Sequence, residues 1–204
     1  MTAKITVLRT EPIATNTVII AEAGRALIFD PSGDAAEIIK FLEREKLVPT
    51  AIYITHGHWD HTMAIKGLTE RYAVDWHLHP DDEEMFAAQG AWSSSFPFPA
   101  CAALPLNEGK QKIGGMDAEV FLTPGHTPGG VCIYFPKLKL LLGGDTLFAD
   151  TIGRTDLYLS DNLEMIKSLE KLKARKFPDD VILIPGHGRT EKLGEVKRRN
   201  PYFR

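Results

Sequence analysis

The chain has 204 residues, of which 44% are hydrophobic and 25% charged, and its 24 lysines and arginines against 27 acidic residues give a formal net charge of −3. This balance is typical of a globular domain and excludes the broad basic surface of most nucleic-acid-binding proteins. No apolar stretch reaches the length of a membrane span, and the first residues lack the apolar segment of a secretory signal. We therefore expect a cytoplasmic protein without a nucleic-acid or membrane partner.

The first quarter of the chain alternates short strand-like runs with helical periodicity. Strands are predicted for residues 5–8, 17–21, 26–29 and 51–55, which are rich in apolar and β-branched side chains. Between the last two of them, apolar residues recur at positions 35, 38, 39 and 42, and this spacing predicts a helix with one buried face. Ser32 and Asp34 are candidate N-caps of that helix. The strand at 51–55 leads directly into His56.

The middle of the chain is less regular. A helix is expected after His61, a strand at 74–78, and a further helix whose first turn contains Pro80. Residues 90–105 carry several aromatic side chains without periodicity and are predicted to form a loop. Within this loop, residues 92–98 are either a lid over a site or a segment packed on the surface.

The last third of the chain is predicted to be mostly β, with strands at 118–122, 131–135 and 138–142. A helix is expected over 161–176, where Asp161 and Glu164 have the spacing of a capping box. The basic run at 197–199 is typical of an exposed helix end. A last strand at 181–184 leads through Pro185 and Gly186 to His187.

The densest group of potential ligands lies in residues 55–61, which read Thr-His-Gly-His-Trp-Asp-His. A tight turn can present the imidazoles of His56 and His58 to one metal ion, while Asp60 and His61 reach a second. Imidazole and carboxylate donors suit zinc, and also iron or manganese. Four ligands in this order favour a metal site over a surface loop that is rich in histidine by chance.

Three further candidate ligands, His126, Asp145 and His187, each follow an apolar strand-like run across a short Gly or Pro turn. Such turns hold a side chain rigidly, and a sheet fixes the position of each strand end. A buried aspartate is costly unless it is paired or bound to a metal, and its two oxygens can bridge two cations. The sequence therefore predicts a two-metal centre.

The remaining histidines, His77 and His79, alternate on a predicted strand and so face opposite sides of the sheet. We expect structural roles for both, with His79 the nearer to the site. Cys101 and Cys132 have no CxxC spacing and are expected to be reduced thiols.

The order HxHxDH, then His, Asp and His, resembles the metallo-β-lactamase superfamily from about Leu27 to the end of the chain. The resemblance implies an α/β fold in which two sheets pack face to face with helices outside, a four-layer αββα sandwich. The implied ligands of the first metal are His56, His58 and His126. Those of the second metal are Asp60, His61 and His187. Asp145 is implied to bridge two divalent ions, with zinc expected first and iron or manganese as alternatives.

Within that superfamily, segments 123–129, 143–148, 152–156 and 200–203 resemble the glyoxalase II branch, and Arg154 matches a basic position that helps to hold glutathione there. The chain ends soon after His187, without the helical domain of the longer members, and Gly188 and Arg189 stand where those members place a tyrosine. The resemblance is therefore to the short glyoxalase II-like proteins, and residues 1–204 are expected to form one domain.

The resemblance implies hydrolysis of a small-molecule thioester such as S-lactoylglutathione by attack of a metal-bridging hydroxide. Asp60 and Asp145 are the expected catalytic residues, and Arg154, with Lys110 or Lys112, is expected to pair with substrate carboxylates. Three alternatives stay open: a mononuclear iron persulfide dioxygenase, which the segment 152–156 also fits, a lactonase or other small-ester hydrolase, and a non-catalytic metal-binding module.

Overall fold

The computed structural model describes residues 3–93 and 96–204, which form two six-stranded sheets. The first sheet has the order β1-β2-β3-β4-β5-β6 and the second has the order β12-β11-β10-β9-β8-β7. The strands of the first sheet are β1 (Lys4–Thr10), β2 (Thr15–Glu22), β3 (Arg25–Phe29), β4 (Val48–Tyr53), β5 (Trp76–Leu78) and β6 (Leu104–Pro105). Those of the second are β7 (Gly109–Ile113), β8 (Met116–Leu122), β9 (Val131–Phe135), β10 (Leu140–Gly144), β11 (Ile182–Pro185) and β12 (Glu191–Lys192).

The described residues include six α-helices, most of which pack on the outer faces of the sheets. They are α1 (Ala35–Arg44), α2 (Trp59–Thr62), α3 (Ile65–Tyr72), α4 (Glu83–Trp92), α5 (Asn162–Ala174) and α6 (Leu193–Arg199), with short 3₁₀ turns at Pro80–Asp82 and Pro136–Leu138. None of the described helices is both long enough and apolar enough to cross a bilayer.

Alternation along the strands divides the buried residues into three layers of core. On β2, Val18 and Ile20 face the second sheet, while Ile19 packs with α1 and α3. Outside the second sheet, Leu141 and Leu183 pack against α5 and α6. Because side chains alternate across a strand, both sheets bury apolar residues on both faces. The αββα sandwich predicted from the sequence is confirmed.

Local capping explains where the two long predicted helices begin. The Oδ1 atom of Asp34 accepts a hydrogen bond from the Ala36 amide at 2.9 Å, so Asp34 rather than Ser32 caps α1. Ser32 instead donates its backbone N–H to Thr17 Oγ1. Asp161 caps α5 by accepting from the amides of Leu163 and Glu164.

The predicted loop over 90–105 differs from the structure at both ends, since α4 continues to Trp92 and β6 begins at Leu104. Residues 94 and 95 lie outside the described part of the chain. The rings of Phe96 and Phe98 pack on Phe86 of α4, with centroids 5.9 and 5.3 Å away. Phe96 and Phe98 therefore pack on the protein surface, as one of the two alternatives predicted, and they do not support a lid over the site.

Candidate metal centre

Four loops that follow strand ends meet at one edge of the sandwich. Strands β8, β10 and β11 run in the same direction, because β9 is antiparallel to both β8 and β10, and β10 is parallel to β11. The loop after β4 joins this edge through the amide of Val131, which donates to the Thr55 carbonyl at 2.8 Å. The first sheet is also tied to the loop after β11, because the backbone N–H of Asn16 donates to the Gly186 carbonyl at 2.7 Å. The sandwich thus brings distant segments to a common edge.

All seven side chains proposed as ligands from the sequence lie together at this edge. Their ligand atoms form three overlapping groups in which every atom lies within 4.8 Å of the others. The groups are His56, His58 and His126, then His56, His61 and Asp145, and then Asp60, His61 and His187. Because neighbouring groups share a histidine, the donors form one continuous cluster with room for more than one cation.

The Asp145 carboxylate lies between the two ends of this cluster. Its Oδ2 atom is 3.5 Å from His126 Nε2 and 3.6 Å from His187 Nε2, while its Oδ1 atom is 3.5 Å from His61 Nε2. The backbone is packed tightly around it, since a Cβ atom on Gly186 would lie 2.0 Å from Asp145 Oδ1. A glycine is therefore required at position 186 for this carboxylate to sit between the histidines.

Buried polar atoms without a partner indicate what the cluster is built to hold. His56 Nε2, His126 Nε2 and Asp145 Oδ1 are buried and lack a hydrogen-bond partner. Buried polar atoms in native proteins nearly always have a partner, so each exception calls for an explanation. Nitrogen and oxygen donors that converge without satisfying one another fit a bound divalent cation such as zinc, iron or manganese.

Electrostatics keeps two of the histidines in the protonation state that ligation needs. Burial lowers the pKa of His56 well below its usual value, and His61 and His58 lower it further. Burial, together with His126 and His61, lowers the pKa of His58 to about 3. Both imidazoles are therefore neutral near pH 7, and a neutral imidazole is the form that binds a metal.

At the other end of the cluster, carboxylates lie next to histidines. Burial by itself would raise the pKa of Asp60, but His61 and the hydrogen bond from His187 outweigh burial and lower the pKa of this carboxyl group. Burial likewise opposes protonation of His61, yet the carboxylates of Asp60 and Asp30 raise the pKa of His61 well above its usual value. The same two carboxylates would attract a divalent cation.

Several residues outside the sequence motifs orient the proposed ligands. Asp30 Oδ2 lies 3.0 Å from His61 Nδ1, so the other ring nitrogen of His61 faces the cluster. Thr15 Oγ1 donates to Asp60 Oδ2 at 3.1 Å, and His126 Nδ1 donates to the Arg154 carbonyl at 2.8 Å. Such contacts select the tautomer and the ring orientation of a ligand. Sequence reasoning missed Asp30 and Thr15, although Asp30 directly follows the predicted strand at 26–29.

Asp82 joins two of the ligand loops. It is fully buried, and its Oδ2 atom accepts hydrogen bonds from the Gly57 amide at 2.7 Å and from Thr127 Oγ1 at 2.8 Å. Its Oδ1 atom accepts from the Gly129 amide at 2.6 Å. One carboxylate thus ties the turn between His56 and His58 to the loop that carries His126. Sequence reasoning missed Asp82, because it stands in a run of four acidic residues, 81–84, and nothing in that run marks one of them as buried.

Replacing Asp82 by alanine should leave three buried donors without an acceptor. We expect Asp82→Ala to lose about 3 kcal/mol of folding free energy and about tenfold to a hundredfold in affinity for the metal held by the three-histidine group. Thermal unfolding and competition with a chelator measure the two effects. Asp81→Ala is the matched control, since it removes the same charge from an exposed neighbour. Wild-type metal affinity in Asp82→Ala would show that this carboxylate does not position the loops.

The two histidines for which structural roles were expected lie outside the metal-ligand groups. The His77 ring stacks on Tyr53 with centroids 4.5 Å apart. His79 is buried, and its Nδ1 atom accepts a hydrogen bond from the Asp81 amide at the start of the 3₁₀ turn. His79 thus caps a helical turn, and neither ring belongs to a potential ligand cluster among the described residues.

The basic residues considered for substrate binding lie in two different places. Arg154 lines the cavity at the metal cluster, and its guanidinium makes two hydrogen bonds of 2.9 Å to Asp156. Lys110 and Lys112 lie on β7 and line a separate cavity beside Arg175. The expectation that a β7 lysine would join Arg154 at the substrate is therefore wrong, because β7 is the far edge of the second sheet.

An open cavity of about 740 Å³ lies directly over the cluster. Five of the seven proposed ligands line it: His58, Asp60, His126, Asp145 and His187. A small organic molecule could therefore reach the face of Asp145 and the neighbouring histidines from solvent.

Comparison with known proteins places the chain in a family. The model of the metallo-β-lactamase superfamily matches residues 10–187, a range that contains all seven proposed ligands. The hydroxyacylglutathione hydrolase GloC of Haemophilus influenzae is 34% identical over 185 residues, which cover 87% of this chain and 87% of that protein.

Two solved structures are similar over nearly their whole length. The BLEG-1 B3 metallo-β-lactamase has a TM-score of 0.88 at 32% identity and covers 98% of this chain and 99% of its own. TTHA1623 in a di-iron-bound form has a TM-score of 0.86 at 31% identity, with coverage of 97% and 99%.

Proposed function

This chain belongs to the metallo-β-lactamase superfamily, and we propose that it is a binuclear metal-dependent hydrolase of thioesters, of the glyoxalase II type. The observation that carries the two-metal proposal is the Asp145 carboxylate, which lies between His126 on one side and His61 and His187 on the other. The similarity to a hydroxyacylglutathione hydrolase supports the choice of thioesters.

In this proposal the ligands divide into two sets that share one bridging residue. His56, His58 and His126 would hold one cation, Asp60, His61 and His187 would hold the other, and Asp145 would contact both. When bound, two divalent cations would lower the pKa of a coordinated water molecule and would polarise the substrate carbonyl group. Zinc is the expected metal, and the di-iron form of TTHA1623 keeps iron as an alternative.

The chain's own residues position the reaction partners. Asp60 is held by Thr15 Oγ1 at 3.1 Å and by His187 Nε2 at 3.1 Å, so its carboxylate is oriented before substrate binds. A preorganised carboxylate at the cluster can also orient the attacking water. The leaving thiolate is a weak base, with a thiol pKa of about 8.5, so its departure needs no strong general acid. No serine or cysteine nucleophile is required.

Arg154 is the proposed contact for a substrate carboxylate. Its guanidinium already makes two hydrogen bonds to Asp156, and both side chains are exposed. A substrate carboxylate would therefore bind in exchange for Asp156, by the same two-point geometry that guanidinium groups offer to carboxylates.

Hydrolysis of β-lactams is the second candidate, because BLEG-1, a B3 metallo-β-lactamase, is similar over nearly the whole chain. In both reactions water attacks a carbonyl carbon, and the ligand cluster alone does not distinguish thioester hydrolysis from β-lactam hydrolysis. The leaving group does: a thiolate departs as a separate molecule, whereas the β-lactam nitrogen breaks its bond to the carbonyl carbon but stays in the same product through the other ring atoms.

A single metal-loaded sample can decide between these reactions. S-lactoylglutathione, a lactone, a β-lactam and glutathione persulfide with oxygen are assayed side by side. We expect kcat/KM for the thioester to exceed that for each other substrate by at least about a hundredfold, or about 3 kcal/mol of transition-state stabilisation. Oxygen consumption with the persulfide, or faster turnover of the β-lactam or lactone, would replace the thioesterase proposal.

A further inference from the structure

The mouth of the cavity above the metal cluster is lined by apolar side chains from several loops. They come from the β1–β2 turn, from α2 and from the long connection between β10 and α5. The residues are Ile13, Trp59, Phe148, Ile152, Leu157 and Tyr158. Ile13 is 49% exposed and Tyr158 is 50% exposed, so both present apolar surface to an entering molecule.

Hydrogen bonds to the backbone hold this mouth in shape. The buried Asn200 side chain donates to the carbonyls of Phe148 and Thr151 at 3.0 and 2.9 Å. Ser160 accepts from the Leu157 amide at 2.8 Å. The hydroxyl group of Tyr158 donates to Glu84 at 3.1 Å, which ties the loop before α5 to α4. The segments that carry Phe148, Leu157 and Tyr158 are therefore anchored, so their apolar side chains are a fixed part of the cavity mouth.

Cationic groups near this mouth are already neutralised. Among the described residues that line the cavity, Arg154 is the sole arginine and no lysine is present, and two nitrogens on one edge of its guanidinium donate to Asp156. Arg189, next to His187 along the chain, pairs with Asp150 at 2.6 Å and with Glu191. A substrate anion would exchange with these exposed acidic partners, so its net gain from charge is small, whereas an apolar group gains by leaving water.

We propose that the rim formed by Ile13, Phe148, Leu157 and Tyr158 selects substrates with an apolar chain next to the scissile bond. The class is a thioester with an unbranched aliphatic group of several carbons, carried on either the acyl or the thiol side. This inference rests on the proposed thioesterase function and adds the group that sets its specificity. Burial of each methylene against the rim lowers the free energy of the bound state and of the transition state alike.

Two substrate series test the proposal on the metal-loaded protein. One varies the acyl group from acetyl to butyryl to hexanoyl on a fixed thiol, and the other varies the thiol substituent on a fixed acetyl group. We expect kcat/KM to rise about fourfold per methylene in one series, the equivalent of ~0.8 kcal/mol per buried CH₂. The series that rises identifies the side that carries the chain. A flat or falling dependence in both series would overturn the proposal.

A binding measurement separates this inference from the proposed function. Alkyl thioether analogues, which cannot be hydrolysed, are titrated by calorimetry, and we expect affinity to rise with chain length and the heat capacity change to become more negative. If no thioester is hydrolysed but this dependence is seen, the thioesterase proposal fails and the apolar site stands. If thioesters are hydrolysed and the thioethers show no dependence, the apolar site fails alone.

A pair of variants locates the effect on the rim. Ile13→Ser should reduce the affinity for the longest thioether and kcat/KM for the longest thioester by about fivefold, with little change for the acetyl compound. Val48→Ser is the matched control, because Val48 is 62% exposed at the start of β4, the end of that strand away from His56. An equal effect of both variants, or none from Ile13→Ser, would overturn the assignment to the rim.

Discussion

Replacing Asp145 by alanine is expected to release at least one metal ion and to lower kcat for thioester hydrolysis by about a thousandfold or more. The carboxylate lies within 3.6 Å of histidine nitrogens from both ligand sets, so its removal takes a donor from both proposed cations. A loss of about 4 kcal/mol of transition-state stabilisation corresponds to this factor. Elemental analysis and steady-state kinetics on the same preparation measure the two effects.

Two control variants make the Asp145 result specific. Asp150→Ala removes an exposed carboxylate from the same loop, and we expect unchanged metal content because Asp150 pairs with Arg189 rather than with the cluster. His77→Ala removes a histidine that stacks on Tyr53, and its metal content should also stay at the wild-type level. Full occupancy and undiminished turnover in Asp145→Ala would remove the bridging role, and a lost metal in His77→Ala would contradict the ligand assignment.

Asp30→Asn is expected to weaken the binding of one metal by about tenfold to a hundredfold while the fold is kept. Asp30 Oδ1 accepts from the Thr55 amide at 2.7 Å, and an asparagine oxygen can still accept that hydrogen bond. The other carboxylate oxygen, Oδ2, lies 3.0 Å from His61 Nδ1. In asparagine this oxygen is replaced by an amide nitrogen, which is a donor. His61 would then carry its proton on Nε2, which is the nitrogen that faces Asp60 and Asp145.

The backbone conformation at position 30 is compatible with asparagine. Asp30 has a φ of 50° in the left-handed region, which asparagine tolerates as well as aspartate does. Chelator competition measures the affinities of the two metals separately, and nitrogen NMR of the histidines reports the tautomer of His61. Two unchanged affinities, or a His61 proton that remains on Nδ1, would show that Asp30 does not orient this ligand.

His126, Asp145 and His187 could be named from the sequence because each follows an apolar strand and a glycine or proline turn, and the other four because they crowd into residues 55–61. Such a pattern is local, and it needs no knowledge of which strands are neighbours. Asp145 shows the limit of this reasoning, since its place between His126 and His187 depends on β8, β10 and β11 ending at one edge. That the seven residues bind metal is still a prediction.

The residues that support the ligands could not be found in this way. Asp82 contacts Gly57 and Gly129, which are 25 and 47 positions away in the chain, so its partners are set by the fold.

Short edge strands were missed for another reason. The strand β7 reads Gly-Lys-Gln-Lys-Ile, and only its last residue is buried, so its apolar pattern is too weak to predict a strand.

Metal titration of the metal-free protein, followed by thioester hydrolysis at each step, tests the two-metal proposal most directly. Zinc is added in fractions of one equivalent per chain, and S-lactoylglutathione and a hexanoyl thioester are assayed at every point. If the two ligand sets act together through Asp145, activity rises until two equivalents are bound and is then constant. Full activity at one equivalent, or binding of two equivalents without hydrolysis of either thioester, would contradict a binuclear thioesterase.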